Sequence, residues 1–200
     1  MAARDAVALT VDDPFARDPQ LRPGRGVAAI QKFHDIYLLE LRDLRRAVDL
    51  VQSLPCVDGR RIALVGFSGG ARMGAILAGS EPRIRAFDLV SGGGLPAAAF
   101  VDAAPVALRK QVATASEGLD DLAEIRRCHA RFLCQDGLRD AFVPRAQLTA
   151  LAAAAPRPKE ARWYETGHVP GKRALREQLA WLSRELGLGA PVVPGAVTGP

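Results

Sequence analysis

Cysteine is scarce in this chain. There are 3 in 200 residues, Cys56, Cys128 and Cys134. An odd count at irregular spacing supports neither a disulfide framework nor a zinc site, so no metal is expected. Cys134 lies in an apolar stretch and reads as a buried thiol. No stretch reaches ~18 uninterrupted apolar residues, and the N-terminus lacks a basic-then-apolar leader. A membrane partner is not expected, and a cytoplasmic chain is. Nor is there a basic run interleaved with aromatics. The formal charge of +5 comes from arginines scattered among acids, as in Glu40-Leu41-Arg42-Asp43-Leu44-Arg45-Arg46, so nucleic acid is not an expected partner. Nucleotide loops are missing too. Gly66, Gly69, Gly70 and Gly74 cannot form Gly-x-Gly-x-x-Gly, because Phe67-Ser68 separate the first two glycines, and no Gly-Lys-Ser/Thr occurs. Asp88 lies at about a ribose-binding distance but sits inside the run Ala86–Val90, not at a strand end. No organic cofactor is expected.

What is present is a chain with 48% hydrophobic and 24% charged residues, enough for one well-buried domain over residues 1–186. It is organised around Arg61–Gly70. Ile62, Ala63, Leu64 and Val65 form a continuous apolar run, as in a parallel strand covered on both faces. Gly66-Phe67-Ser68-Gly69-Gly70 follows, and then a helix of small residues over 71–79. Strand, tight glycine turn and helix are the context of a nucleophile elbow. Such a turn holds Ser68 in a strained conformation that projects its hydroxyl above the sheet. Gly66 and Gly70 are expected there because a Cβ at either would collide with its surroundings. The N–H of Gly69 is placed to meet an oxyanion at the helix N-terminus.

The remaining elements alternate. Ala6–Val11 reads as a buried strand, residues 15–26 as a Pro/Gly/Arg loop, and Ala28–Leu54 as a long amphipathic helix. In that helix Ile30, Phe33, Tyr37, Leu41, Leu44, Val48 and Val51 recur at spacings of three and four. Ile84–Val90 is the next strand. Residues 95–120 are Ala-rich and read as a cap, a pair of short helices or a mobile loop. Helix over 119–128, strand over 131–135, helix over 144–155, strand over 161–165 and helix over 172–186 follow, and residues 187–200 read as a disordered tail. This order predicts an α/β fold, a mostly parallel sheet with helices on both faces.

A serine nucleophile needs a base, and the base an orienting acid. Gln135–Pro144 directly follows one buried strand and Thr166-Gly167-His168 follows the last, so both loops lie at the strand ends where Ser68 sits. The chain order is Ser68, Asp140, His168, that of nucleophile-elbow enzymes. His34 lies on the long helix and reads as a surface or flanking residue, His129 precedes a strand without an apparent partner, and both read as structural. Trp163, Tyr164 and Trp181 read as core. Arg72, one turn past the elbow, reads as a surface residue, with contact to an anionic substrate as the alternative.

The chain resembles an α/β-hydrolase, most similar to the dienelactone-hydrolase-like and prolyl-oligopeptidase-like branches. The resemblance rests on Arg61–Gly70, the Gly-x-x-Asp-x-x-Val-Pro run over Gly137–Pro144, and Gly167-His168, within a layout spanning Ala6–Leu186. It implies Ser68 as nucleophile, His168 as general base and later acid, Asp140 as orienting acid and the Gly69 N–H as one oxyanion donor. Asp140 fills the family's acid position, with Asp136 as the alternative. A serine where dienelactone hydrolases carry cysteine points to ordinary ester hydrolysis of a small-molecule substrate, with peptidase or thioesterase activity as rival readings.

The sequence departs from the family before Ala6, where the early strands and the His-Gly-Gly-type oxyanion loop are expected. A shortened N-terminus, or a minimal enzyme in which an N–H of the Asp13–Arg17 loop substitutes, are the alternatives. A remnant that binds without turnover is the rival function. The same departure predicts an open apolar edge at Ala6–Val11 and, through it, a homodimer.

Overall fold

The computed structural model describes residues 6–21 and 27–189. Its centre is one sheet of four parallel strands, β1 (Ile62–Phe67), β2 (Ile84–Val90), β3 (Arg131–Gly137) and β4 (Lys159–Tyr164), in that spatial order. Helices join them: α1 (Pro14–Arg17) and α2 (Val27–Ser53) before β1, and α3 (Gly69–Ala78) between β1 and β2. Between β2 and β3 come α4 (Ala97–Ala103), α5 (Arg109–Ala115) and α6 (Asp121–Arg126). Helix α7 (Arg145–Ala154) precedes β4, and α8 (Lys172–Leu186) closes the chain.

β2 and β3, the central strands, are covered on both faces. On one face Phe87 and Leu89 of β2 and Phe132 of β3 pack under Leu77 of α3, Ile125 of α6, Leu151 of α7 and Leu41 and Val48 of α2. On the other, Ala86 and Leu133 meet Trp181 and Leu182 of α8. The stripe expected on α2 is partly right. Leu41 and Val48 are buried, and Tyr37, Leu44 and Val51 pack against the core, but Phe33 is 43% exposed. The side chain of Ile30 falls outside the described residues. Residues 95–120, expected as a cap, two short helices or a mobile loop, form two short helices, α4 and α5, with a 3-10 turn at Val106–Leu108 between them. In the expected loop, Pro14–Arg17 and Pro19–Leu21 make short helical turns, and residues 22–26 lie outside the described residues. So does the tail from residue 190.

The expected strand at Ala6–Val11 is absent. The segment has no strand or helix, and Val7 and Leu9 are 48% and 46% exposed. A cleft of about 880 Å³ separates it from β1. Without a strand to pair with, its N–H and C=O groups face water, and apolar composition alone does not make a strand. The open edge therefore lies at β1, where Val65 and Phe67 are each 46% exposed.

Candidate active site

Parallel pairing places the C-terminal ends of all four strands on one side of the sheet. Ser68 follows β1 there, Asp140 lies in the loop after β3 and His168 in the loop after β4. The Ser68 Oγ lies 2.9 Å from His168 Nε2, and His168 Nδ1 lies 2.8 Å from an Asp140 carboxylate oxygen. The Asp140 side chain is 1% exposed and that of His168 is 15% exposed. A carboxylate accepts only, so Nδ1 carries the proton and Nε2 is left as acceptor toward the hydroxyl; this tautomer is assigned from the hydrogen-bond pattern.

The elbow is strained where a nucleophile turn should be. Ser68 has φ 53° and ψ −116°. Among the described residues only Ser68 and Ser91 are non-glycine residues with positive φ, and both lie at this site. Gly66 is required. A Cβ there would sit against the Gly70 carbonyl oxygen, 2.6 Å from the Gly70 carbonyl carbon and 2.7 Å from Ala71 Cα. The expected collision at Gly70 does not occur, because a Cβ there meets nothing within 4 Å. The Gly69 N–H opens α3 and has no acceptor among the described residues, so it stands free at the positive end of the helix dipole.

Asp140 is held from two sides. One oxygen accepts the N–H groups of Phe142, at 2.8 Å, and Val143, at 3.0 Å. Burial opposes its charge, but the Val143 N–H, His168 and the Phe142 N–H outweigh it, and the carboxyl is held below the ordinary aspartate range. Asp136, the alternative acid, is buried and makes no hydrogen bond to His168 among the described residues. Burial, with Asp140 and Asp88 nearby, pushes its carboxyl up to about 7. Asp88 behaves likewise. Burial raises it to about 7 against a hydrogen bond from Gln178 and the charge of Arg162, and its second oxygen has no partner among the described residues.

A stability prediction follows from this buried pair. Carboxyls raised in the folded chain bind more protons there than in the unfolded chain between about pH 4 and pH 7. Stability is therefore highest near the acid end of that window and is lost as pH rises through about 7. Asp140, shifted downward, acts only below the window. The Asp88→Asn/Asp136→Asn protein will lose much less melting temperature between pH 5 and pH 8 than the parent, whose loss we expect to be roughly 3–10 °C. The slope that remains belongs to Glu40, raised to about 7 chiefly by burial, and to Asp121, raised by the same cause.

Three side chains complete the site without a clear signal in the sequence. Phe67 and Phe142 flank the His168 imidazole, with ring centroids at 5.1 and 5.2 Å. The Ser91 hydroxyl donates to the His168 carbonyl at 2.6 Å, and the Ser91 N–H donates to Gln135. Phe67 occupies the variable position of the Gly-x-Ser-x-Gly motif, and Ser91 opens a Ser-Gly-Gly-Gly run that reads as a plain turn. Cys134 is the expected buried thiol, with its pKa pushed up to about 12 chiefly by burial. Tyr164 and Trp181 are core, whereas Trp163 is half-buried with the Arg145 guanidinium over its ring. His34 hydrogen-bonds Gln31, and its Nδ1 lies 3.5 Å from an Asp35 oxygen.

The fold recurs in solved structures. An acetyl xylan esterase from Paenibacillus sp. R4 superposes with a TM-score of 0.67 at 24% identity, over 76% of this chain and 54% of that one. Acetyl xylan esterase 1 from Thermoanaerobacterium sp. JW/SL YS485 gives 0.63 at 19%, over 80% and 58%. The alpha/beta hydrolase GrgF from Penicillium sp. sh18 gives 0.61 at 17%, over 76% and 73%. The chain has the α/β-hydrolase fold. It spans little more than half the length of the two acetyl xylan esterases. No protein-family model matches the chain, and no curated protein does. Among the described residues no group of His, Cys, Asp and Glu is arranged to hold a metal ion, and no helix is long and apolar enough to cross a membrane.

Proposed function

We propose that this α/β-hydrolase-fold chain is a serine hydrolase that cleaves a carboxylic ester of a small molecule. The observation that carries this reading is the unbroken line Ser68 Oγ, His168 Nε2, His168 Nδ1, Asp140 at the open end of the sheet. As the Ser68 oxygen attacks the acyl carbon, His168 Nε2 takes its proton, and Asp140 stabilises the imidazolium. The carbonyl oxygen becomes an oxyanion facing the Gly69 N–H. The proton then passes to the leaving alcohol. Water attacks the acyl-serine ester, again giving its proton to His168, and the acid is released. Phe67 and Phe142, tilted against the ring, limit its rotation.

The test is covalent labelling of the purified chain with a fluorophosphonate probe, beside Ser68→Ala and His168→Ala. We expect labelling of the parent alone. Absence of labelling in a folded parent would favour the rival reading, a chain that binds without turnover. The observation on that side is the open β1 edge, with the Gly69 N–H as the assigned oxyanion donor. Losing one of two donors costs ~10²–10³ in rate, so slow labelling fits the hydrolase reading. Comparing an ester with a thioester and an amide of the same acyl group separates esterase from thioesterase and peptidase.

The homodimer is proposed at β1, where unpaired backbone groups lie beside exposed Val65 and Phe67. Light scattering will show concentration-dependent association of the parent that Val65→Lys weakens; a parent that stays monomeric overturns it.

A further inference from the structure

A second cavity, of about 350 Å³, lies between α2, α3, α4 and α5. Its walls include Phe33 and Tyr37 of α2, Phe100 of α4, and Val112 and Leu119 on either side of Ala115. That volume suits a small organic ligand. Ser68 is not part of the lining, but Arg72 is. Arg72 lies in the first turn of α3, four residues after Ser68, and its N–H donates to the Ser68 carbonyl at 3.2 Å.

The Arg72 guanidinium is held like a fixed tool. Its carbon lies 4.8 Å from the Phe100 ring centroid and 5.6 Å from that of Tyr37. Its Nε donates to Asp121 at 2.9 Å, and Asp121, fully buried, also accepts the Leu95 N–H at 3.1 Å. These contacts occupy the ring-facing surface and one of five N–H bonds. Neither Nη group has a hydrogen-bond partner among the described residues, although the side chain is only 21% exposed. The Nη groups, at the partly exposed end of the side chain, are open to a ligand from solvent. The lining offers one permanent cation and no carboxylate. A planar guanidinium fork with free edges, inside an aromatic wall, matches a carboxylate attached to an apolar group.

We propose that this cavity binds a small apolar carboxylate, the apolar part against Phe33, Tyr37 and Phe100 and the carboxylate on the free edge of Arg72. Resting on the serine-hydrolase reading, this names the substrate class as esters that carry a second, free carboxylate. Arg72, expected at the surface, is 21% exposed and paired with Asp121, and the proposal takes up the alternative reading, contact with an anionic substrate.

The test uses Ser68→Ala protein, in which binding does not depend on turnover, titrated calorimetrically with 4-phenylbutyrate and with its neutral analogue 4-phenylbutanamide. The carboxylate will bind about tenfold or more tightly than the amide, and Arg72→Gln will abolish that preference. Ser116→Phe fills the cavity and leaves the Arg72–Asp121 pair intact, so it will remove binding of both ligands without lowering the melting temperature. Equal affinities for the two ligands, or undiminished binding in Ser116→Phe, overturns the site. With Ser68 present, kcat/KM for mono-4-nitrophenyl adipate will exceed that for 4-nitrophenyl hexanoate about fivefold or more, and Arg72→Gln will erase the difference. A ratio of one with binding retained overturns the substrate class. Binding in a protein that no fluorophosphonate labels would instead overturn the hydrolase reading and leave the cavity standing.

Discussion

Replacing Ser68 with alanine will abolish fluorophosphonate labelling and lower kcat for 4-nitrophenyl acetate by about 10⁴-fold or more. Without Oγ there is no acyl-enzyme, and only the Gly69 N–H and binding contacts remain. His168→Ala will cost nearly as much, and the double variant no more than either single one, because the two groups act on one proton transfer. Asp140→Asn is the sharper probe. The asparagine oxygen still accepts the Phe142 and Val143 N–H groups, so the loop holds. Its amide then faces His168 Nδ1 as a donor, which favours the tautomer with the proton on Nε2, facing Ser68. That ring cannot take the serine proton, and kcat will fall by about 10⁴ with little change in melting temperature. Asp136→Asn, which touches neither ring nitrogen, will leave labelling close to the parent's. Hydrolysis that survives Ser68→Ala would remove this mechanism.

Gly137→Ala will damage the site from outside it. A Cβ at Gly137 would press on the Gly167 carbonyl oxygen, 2.7 Å from the Thr166 carbonyl oxygen and 2.9 Å from the Gly167 carbonyl carbon. All of these are backbone atoms, so no side chain can swing aside. Here the chain leading to Asp140 crosses the chain leading to His168, joined by Leu138 N–H to Tyr164 and Arg139 N–H to Thr166. Separating them moves Asp140 away from His168. We expect a stability loss of about 1–3 kcal/mol and a labelling rate lower by roughly 10², the cost of displacing a catalytic group by about 1 Å. Gly167→Ala is the control. A Cβ there meets only the Arg139 carbonyl oxygen, at 3.8 Å, so it will be tolerated. Equal effects from both substitutions would show that general loop disturbance, not this crossing, sets the geometry.

The elements covered on two faces were legible from composition. Ile84–Val90 and Lys172–Leu186 have the bounds expected of them, because burial makes a central strand mostly apolar and gives a helix that covers the sheet amphipathic spacing. The order Ser68, Asp140, His168 was legible for a related reason. In a parallel sheet every loop after a strand emerges on the same side, so residues 28 and 100 positions apart meet.

Ala6–Val11 was not legible. An apolar run carries the same signature whether or not a neighbour pairs with it, and pairing is a property of the partner. Nor was Gly70 distinguishable from Gly66, since the two look alike in the motif and only packing shows which Cβ would collide. Ser91 became part of the site through a φ of 52° and a bond to a carbonyl 77 residues away. The aromatic rings that flank Arg72 come from α2 and α4, elements that only the fold brings to α3. By itself, then, the sequence determined the layered α/β class, the elbow at Ser68 and the two loops that face it, because each rests on local periodicity and chain order. The tertiary structure decided which acid reaches His168, where the sheet is open and what surrounds Arg72. Those depend on distances between segments far apart in the chain, which no local pattern encodes.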